Sequence, residues 1–169
     1  MERLATPSNR QPVRGSLTIH SCPSALRHHI DWAIQGVLGN WITVNWIVQP
    51  LMPGTFRMQL EFRDKSGAAS EIASALRSWH YLNFEIIENN ENGGELFRFT
   101  PEFGIHRAIV DQSGAVLFTE NQINHVLSES FDEESIREGV SQILGTPWEV
   151  ELDRFRRVGT QEIAQLRAI

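Results

Sequence analysis

The order strand, helix, strand occurs twice in succession between Ser16 and Glu88, and a doubled β-α-β unit restricts a chain of this size to few folds. The first unit reads as a strand at 16–20, a helix carrying Leu26, Ile30, Ala33, Ile34, Val37 and Leu38, and a strand at 42–48. The second has a strand at 56–62, a helix carrying Ala69, Ile72, Ala73, Leu76 and Trp79, and a strand at 82–86. Segment 49–54, with Pro50, Pro53 and Gly54, is turn chemistry that joins the middle strands as a hairpin. The doubling predicts an α+β fold: a ferredoxin-like β-α-β-β-α-β sandwich with both helices on one face of a split sheet. Such an architecture leaves function open, so the surface must be read for it.

At 169 residues the chain can bury roughly two thirds of its unfolded surface without a disulfide or a structural metal. Cys22 is the only cysteine and cannot form an internal disulfide. The first residues lack the apolar stretch of a signal peptide, and no apolar run approaches the roughly 20 residues that span a bilayer. A cytoplasmic protein without membrane contact is expected. The formal charge is −6, Lys65 is the only lysine, and Arg154-Phe155-Arg156-Arg157 is the only basic cluster. That balance argues against nucleic acid as a partner, because phosphate binding requires a concentrated basic face.

Residues 1–15 are polar, contain Pro7, Pro12 and Gly15, and read as a flexible arm; 16–89 form the ferredoxin-like module. Segment 90–169 reads as a small β-hairpin element and C-terminal helices that pack on the module to give one compact unit. Gly93-Gly94 punctuates a polar loop, and Asp111-Gln112-Ser113-Gly114 makes the hairpin turn. Three short helices follow, with start signals at Thr119 with Gln122, at Asp132, and at Thr146-Pro147-Trp148-Glu149. In the last, Trp148, Leu152 and Phe155 fall on one face.

Alternation along the strands places Leu17, Ile19, Val44, Trp46, Phe56, Met58, Leu60, Phe62, Leu82, Phe84 and Ile86 under the helices. The opposite face then carries Thr18, His20, Arg57, Gln59, Glu61, Asn83 and Glu85 and no aromatic side chain. RNA-binding sheets of this architecture stack bases on exposed aromatics, so this face does not fit that role. It is expected to be solvated, or covered by later segments or by a partner, and His20, Arg57 and Glu61 are candidates to line a small anionic-ligand site. On the first helix the apolar stripe leaves Trp32 and His28 on the outer side near Gln35. Either the C-terminal helices cover them through Trp148 and Phe155, or a partner does. Arg77 faces outward from the second helix, whereas Trp79 faces the core.

Catalytic signatures are not evident. His28 and His29 point about 100° apart on a helix and do not share one ion, and His106 and His125 stand alone, so no metal is expected. Cys22 at a strand-to-helix junction, two residues from His20, reads as structural and not as a nucleophile. There is no phosphate-binding glycine motif, nucleophile elbow or His-Glu-x-x-His, and no cofactor is expected.

Several words in fixed order carry a likeness to one family: His29-Ile30-Asp31-Trp32-Ala33, Leu38-Gly39, Ala75-Leu76-Arg77-Ser78-Trp79, Phe84-Glu85, Phe99-Thr100-Pro101-Glu102-Phe103-Gly104 and Leu144-Gly145-Thr146-Pro147-Trp148. After the N-terminal arm the chain resembles the actinobacterial proteins known as domain of unknown function 3145. The resemblance implies a bacterial cytoplasmic protein and carries over no catalytic, cofactor or metal residue. The expected role is non-enzymatic: interaction or regulation, with a protein partner or a second copy bound through Trp32, His28, Gln35, Arg77, Trp148 and Phe155. The alternative is a regulatory domain sensing an amino acid, nucleotide or acyl-CoA on the face of His20, Arg57 and Glu61. An enzyme of unrecognised type is the third reading.

Overall fold

The computed structural model describes residues 11–167, so most of the arm, residues 1–10, lies outside the described residues. The strands are β1 (Pro12–Pro23), β2 (Ile47–Val48), β3 (Thr55–Lys65), β4 (Asn83–Asn90), β5 (Gly93–Thr100), β6 (Gly104–Val110) and β7 (Val116–Leu117). The helices are α1 (Arg27–Leu38), preceded by a 3-10 turn at Ser24–Leu26, then α2 (Ala68–Leu76), α3 (Glu120–Glu129), α4 (Glu133–Leu144) and α5 (Thr146–Arg167). All seven strands form one antiparallel sheet in the order β2-β3-β1-β4-β5-β6-β7. The fold is α+β.

One face of this sheet follows the strand alternation. Leu17, Ile19, Met58, Phe62, Phe84 and Ile86 are buried beneath Ile30, Ile34 and Leu38 of α1 and Ala69, Ile72 and Leu76 of α2. Phe97 and Phe99 of β5 join them, and the Phe84 and Phe99 rings stack with centroids 5.2 Å apart. Burying large apolar side chains on both sides of one contact layer is the main favourable term of such a core.

Several expectations change. Residues 12–15 are not part of an arm but begin β1, where Pro12 pairs with Lys65 and Gly15 with Phe62. The strand expected at 42–48 shrinks to Ile47 and Val48. Segment 42–46 is tied to α1 instead: the Trp46 indole N–H donates to Asp31 Oδ1 (2.8 Å), and Gln35 Nε2 donates to the Ile42 carbonyl (3.2 Å). Leu82 is buried just before β4. The later β segment is not a separate hairpin, because β5 pairs with β4 from Gly93 onward and β6 and β7 continue the same sheet. The last helix is not short; α5 runs for 22 residues.

The polar sheet face is neither open nor simply solvated where α5 crosses it. Phe155 of α5 stacks on His20 of β1, and Trp148 lies against His106 of β6. The three start signals coincide with helix starts. Thr119 and Gln122 form a capping box on α3, Asp132 and Ser135 form one on α4, and α5 begins at Thr146, directly after Gly145. Glu149 does not return to its own helix start; its carboxylate meets Arg156 and Arg98.

Helix α2 has only nine residues and a glycine at its N-cap, so it lacks a local side-chain cap. The sheet supplies one. Glu88 of β4, 3 % exposed, accepts from the Gly67 amide at Oε1 (2.8 Å) and from the Ala69 amide at Oε2 (2.7 Å). A carboxylate at this position satisfies two orphan donors and complements the positive end of the helix dipole. Glu88→Ala is therefore expected to lower stability by about 2 kcal/mol, and Glu88→Gln by less, in urea unfolding at neutral pH. Equal midpoints for Glu88→Ala and wild type would contradict this role.

Candidate functional site

The outer helix layer carries one aromatic group. Trp32 is 67 % exposed. Its ring meets His29 edge-on at 5.6 Å, and His29 stacks on Trp79 at 5.6 Å with the planes 22° apart. Trp79 is partly buried against the core, but from the segment after α2, which ends at Leu76, and not from the helix itself as expected. His28 and Arg77 are exposed on the same layer, whereas Gln35 is engaged with the Ile42 carbonyl. The neighbouring Trp46 indole is fixed on Asp31, so the α1 surface around Trp32 is held from below.

Trp148 and Phe155 do not belong to this group. Both are buried on the opposite face of the sheet, so as partner contacts they are unavailable and as cover for Trp32 they lie on the wrong side. The Trp148 indole N–H donates to the Gly104 carbonyl at 2.9 Å. The physical reason is the composition of the face that α5 meets: a helix burying Leu152 and Phe155 beside Arg156 suits a sheet surface that offers carboxylates as well as apolar stems.

That interface is a charge network between β1, β4, β5 and α5. Glu85 receives His20 Nε2 at 3.0 Å and Arg156 Nε at 2.9 Å, with a second contact from Arg156 Nη2. Because an ionised carboxylate only accepts, the His20 Nε2 carries the hydrogen. Arg156 also pairs with Glu149, and Arg98 Nη2 reaches Glu149 Oε2 at 3.0 Å. Burial pushes the Glu85 carboxyl up, but the hydrogen bonds from His20 and Arg156 outweigh it and hold the group at about 2. Beside this network Arg98 Nη1 contacts the Leu144 carbonyl and His106 Nε2 donates to the Ile143 carbonyl, so two side chains of the sheet cap the end of α4. Burial pushes the His106 imidazole below its ordinary value, and the nearby Arg98 charge adds to that. The α4–α5 turn fits tightly here: Gly145 has φ 72°, and a Cβ on it would stand 2.5 Å from His106 Cε1.

Of the residues expected to line an anionic-ligand site, His20 and Arg57 lie on neighbouring strands between the Ile19–Met58 and Cys22–Phe56 pairs, with His20 buried against Glu85 and Phe155, whereas Glu61 sits four residues from Arg57, about 13 Å along β3. What lies on this face instead is a groove of about 310 Å³ lined by Ser16, Thr18, Ile87, Leu96 and the arginines and glutamates of the network. Sequence reading missed Arg98, Glu149 and Arg156 as a group. The available signal was the seven-residue spacing of Glu149 and Arg156, two helical turns apart beside the buried stripe. Cys22 is buried, and burial pushes its thiol up to about 12, with Arg27 opposing the effect and Asp31 adding to it, which keeps the thiol protonated. Among the described residues no group of three His, Cys, Asp or Glu side chains is placed to hold a metal ion, and no helix is long and apolar enough to cross a membrane.

An antiparallel sheet with a two-helix layer on one face and one long, charge-pinned helix on the other defines an α+β protein. Over residues 16–167 the sequence matches the family described as Protein of unknown function (DUF3145), and the chain belongs to that family. No curated protein and no solved structure matches it.

The Glu85 geometry has a pH signature. A depressed carboxyl stabilises the fold above its ordinary value of 4.5, and that contribution is lost as pH falls toward about 2. Wild type is expected to lose melting temperature between pH 4.5 and 2 more steeply than Glu85→Gln, with the two curves parallel above pH 5.5. Parallel curves throughout would contradict the network.

Proposed function

We propose that this chain is a non-enzymatic interaction or regulatory protein of the cytoplasm that binds a protein partner through its outer helix layer. The observation that carries this reading is Trp32, which remains 67 % exposed while its ring is braced by His29 on Trp79. A tryptophan held in one orientation loses little entropy on binding, and tryptophan and arginine are enriched among residues that dominate interface energies. His28 and Arg77 supply polar and cationic groups around it. The strand order β2-β3-β1-β4, with α1 and α2 on one face, supports a ferredoxin-like module as the scaffold. The single, buried free thiol of Cys22 is compatible with a reducing compartment.

The test is affinity capture from native extract of the encoding organism on immobilised full-length chain. Trp41, 72 % exposed on the loop after α1, provides a control of equal chemistry. A partner retained by wild type and Trp41→Ala but weakened more than about tenfold by Trp32→Ala is expected. Equal retention by Trp32→Ala would refute the assignment.

A second reading is favoured by the groove under α5, where the hydroxyls of Ser16 and Thr18 face two arginines and two glutamates. Such a site suits a small ligand with both charged and hydroxyl groups. If it is a sensor site, one compound among amino acids, nucleotides and acyl-CoAs raises the melting temperature of wild type, and Thr18→Val reduces that rise. A flat screen would remove this reading.

A further inference from the structure

Three cations stand together at one end of the sheet without a counter-charge. Arg14 of β1 lies directly opposite Arg63 of β3, and Lys65, two residues further on, projects from the same face. All three are exposed, and among the described residues none of their side chains has an ion pair or a hydrogen bond, whereas Arg98, Arg107, Arg137 and Arg156 each meet a carboxylate. Like charges set directly opposite on neighbouring strands repel, so this end of the sheet carries a cost that a bound anion relieves. It lies away from the Phe155 contact of α5 with His20, which is about 20 Å along β1 from Arg14.

The two arginines border a groove with an aromatic wall. A cavity of about 580 Å³ is lined by Arg14, Arg63, Ser16, Asn89, Glu61 and Trp41. Trp41 is 72 % exposed, yet its position is set from behind: Gly39 has φ 102°, and a Cβ there would stand 2.7 Å from the Trp41 indole nitrogen. Guanidinium groups hold phosphate oxygens by forked hydrogen bonds, and three cations exceed what one carboxylate neutralises. A flat heterocycle stacks on an indole face. The Glu61 carboxylate, opposite Ser16 and two residues before Arg63, only accepts hydrogen bonds, which suits the hydroxyls of a sugar. A purely acidic ligand would use the arginines, leave the indole in water and meet Glu61. We infer that this groove binds a nucleotide, with Arg14, Arg63 and Lys65 on the phosphates and Trp41 against the base. The site does not depend on the groove under α5, with which it shares only Ser16 and Ile87.

The test is isothermal titration calorimetry of the full-length protein with ADP, GDP, CDP and UDP in turn, beside pyrophosphate and the matching nucleosides, in chloride buffer of fixed ionic strength. At least one nucleoside diphosphate is expected to bind about tenfold or more tightly than pyrophosphate or its own nucleoside. Trp41→Ala removes that advantage and keeps the pyrophosphate affinity. The double variant R14Q/R63Q loses about tenfold for both phosphate ligands. It also melts at or above the wild-type temperature, because the cross-strand repulsion is gone. Thr18→Val, in the groove under α5, binds as wild type does, which separates the two sites. No binding of any of these diphosphates, or wild-type affinity in R14Q/R63Q, would overturn the site. Wild-type nucleotide affinity in Trp41→Ala would overturn the placement of the base. A single-stranded RNA oligomer bound more tightly than every free nucleotide, or capture by phosphatidylglycerol vesicles, would overturn the choice of occupant.

Discussion

The ionised carboxylate of Glu85 is the point on which the two halves of the structure depend. It projects from β4 on the face of the sheet that a solvated module would leave to water, and it faces an arginine 71 residues later in the chain. Without that pairing α5 would bring Leu152 and Phe155 onto a surface of unmatched polar groups. With it, the carboxylate, His20 and Arg156 satisfy one another while the apolar residues of α5 cover them. Burying such a pair is favourable only when its hydrogen bonds are well made, which is why removing one member is more damaging than replacing both. Glu149 and Arg98 extend the same network to β5, and Arg98 with His106 then fixes the end of α4. The C-terminal helices are thus positioned by charge and capping at least as much as by apolar burial.

Much of this was legible in the sequence, and the parts that were not have a common cause. The face of β1, β3 and β4 under α1 and α2, the capping boxes of α3 and α4, and the buried stripe Trp148, Leu152 and Phe155 all rest on local periodicity. So does the exposure of Trp32. Spacing states that a stripe is buried, but it does not state against what, and α5 therefore lay on the other side of the sheet from Trp32. Segment 42–46 has strand-like alternation, yet two side-chain bonds to α1 draw it off the sheet. The groups of the Glu85 network come from four elements, and beyond the seven-residue spacing of Glu149 and Arg156 on α5 no pattern within one of them marks the pairing.

The same geometry sets the two helical layers apart, one on each face of the sheet. The helix layer is finished beneath Trp32 by His29, Trp79 and Asp31, so the exposed indole is a fixed feature and not a loose one. The α3–α4 hairpin is specified by its own caps, by the Val126–Gly139 contact, and by Arg98 and His106 of the sheet at the end of α4.

The cap that Glu88 provides for α2 also orders events during folding. A helix of nine residues with glycine in front of it is too short to persist alone, since nucleation outweighs the gain from so few propagation steps. Its first amides find their acceptor only after β4 has taken its place beside β1, some twenty residues further along the chain. Completion of α2 and closure of the central sheet are therefore one cooperative step. The amides at the start of this helix exchange with solvent only when β4 itself comes away, and a nascent chain stopped before residue 88 cannot hold the helix.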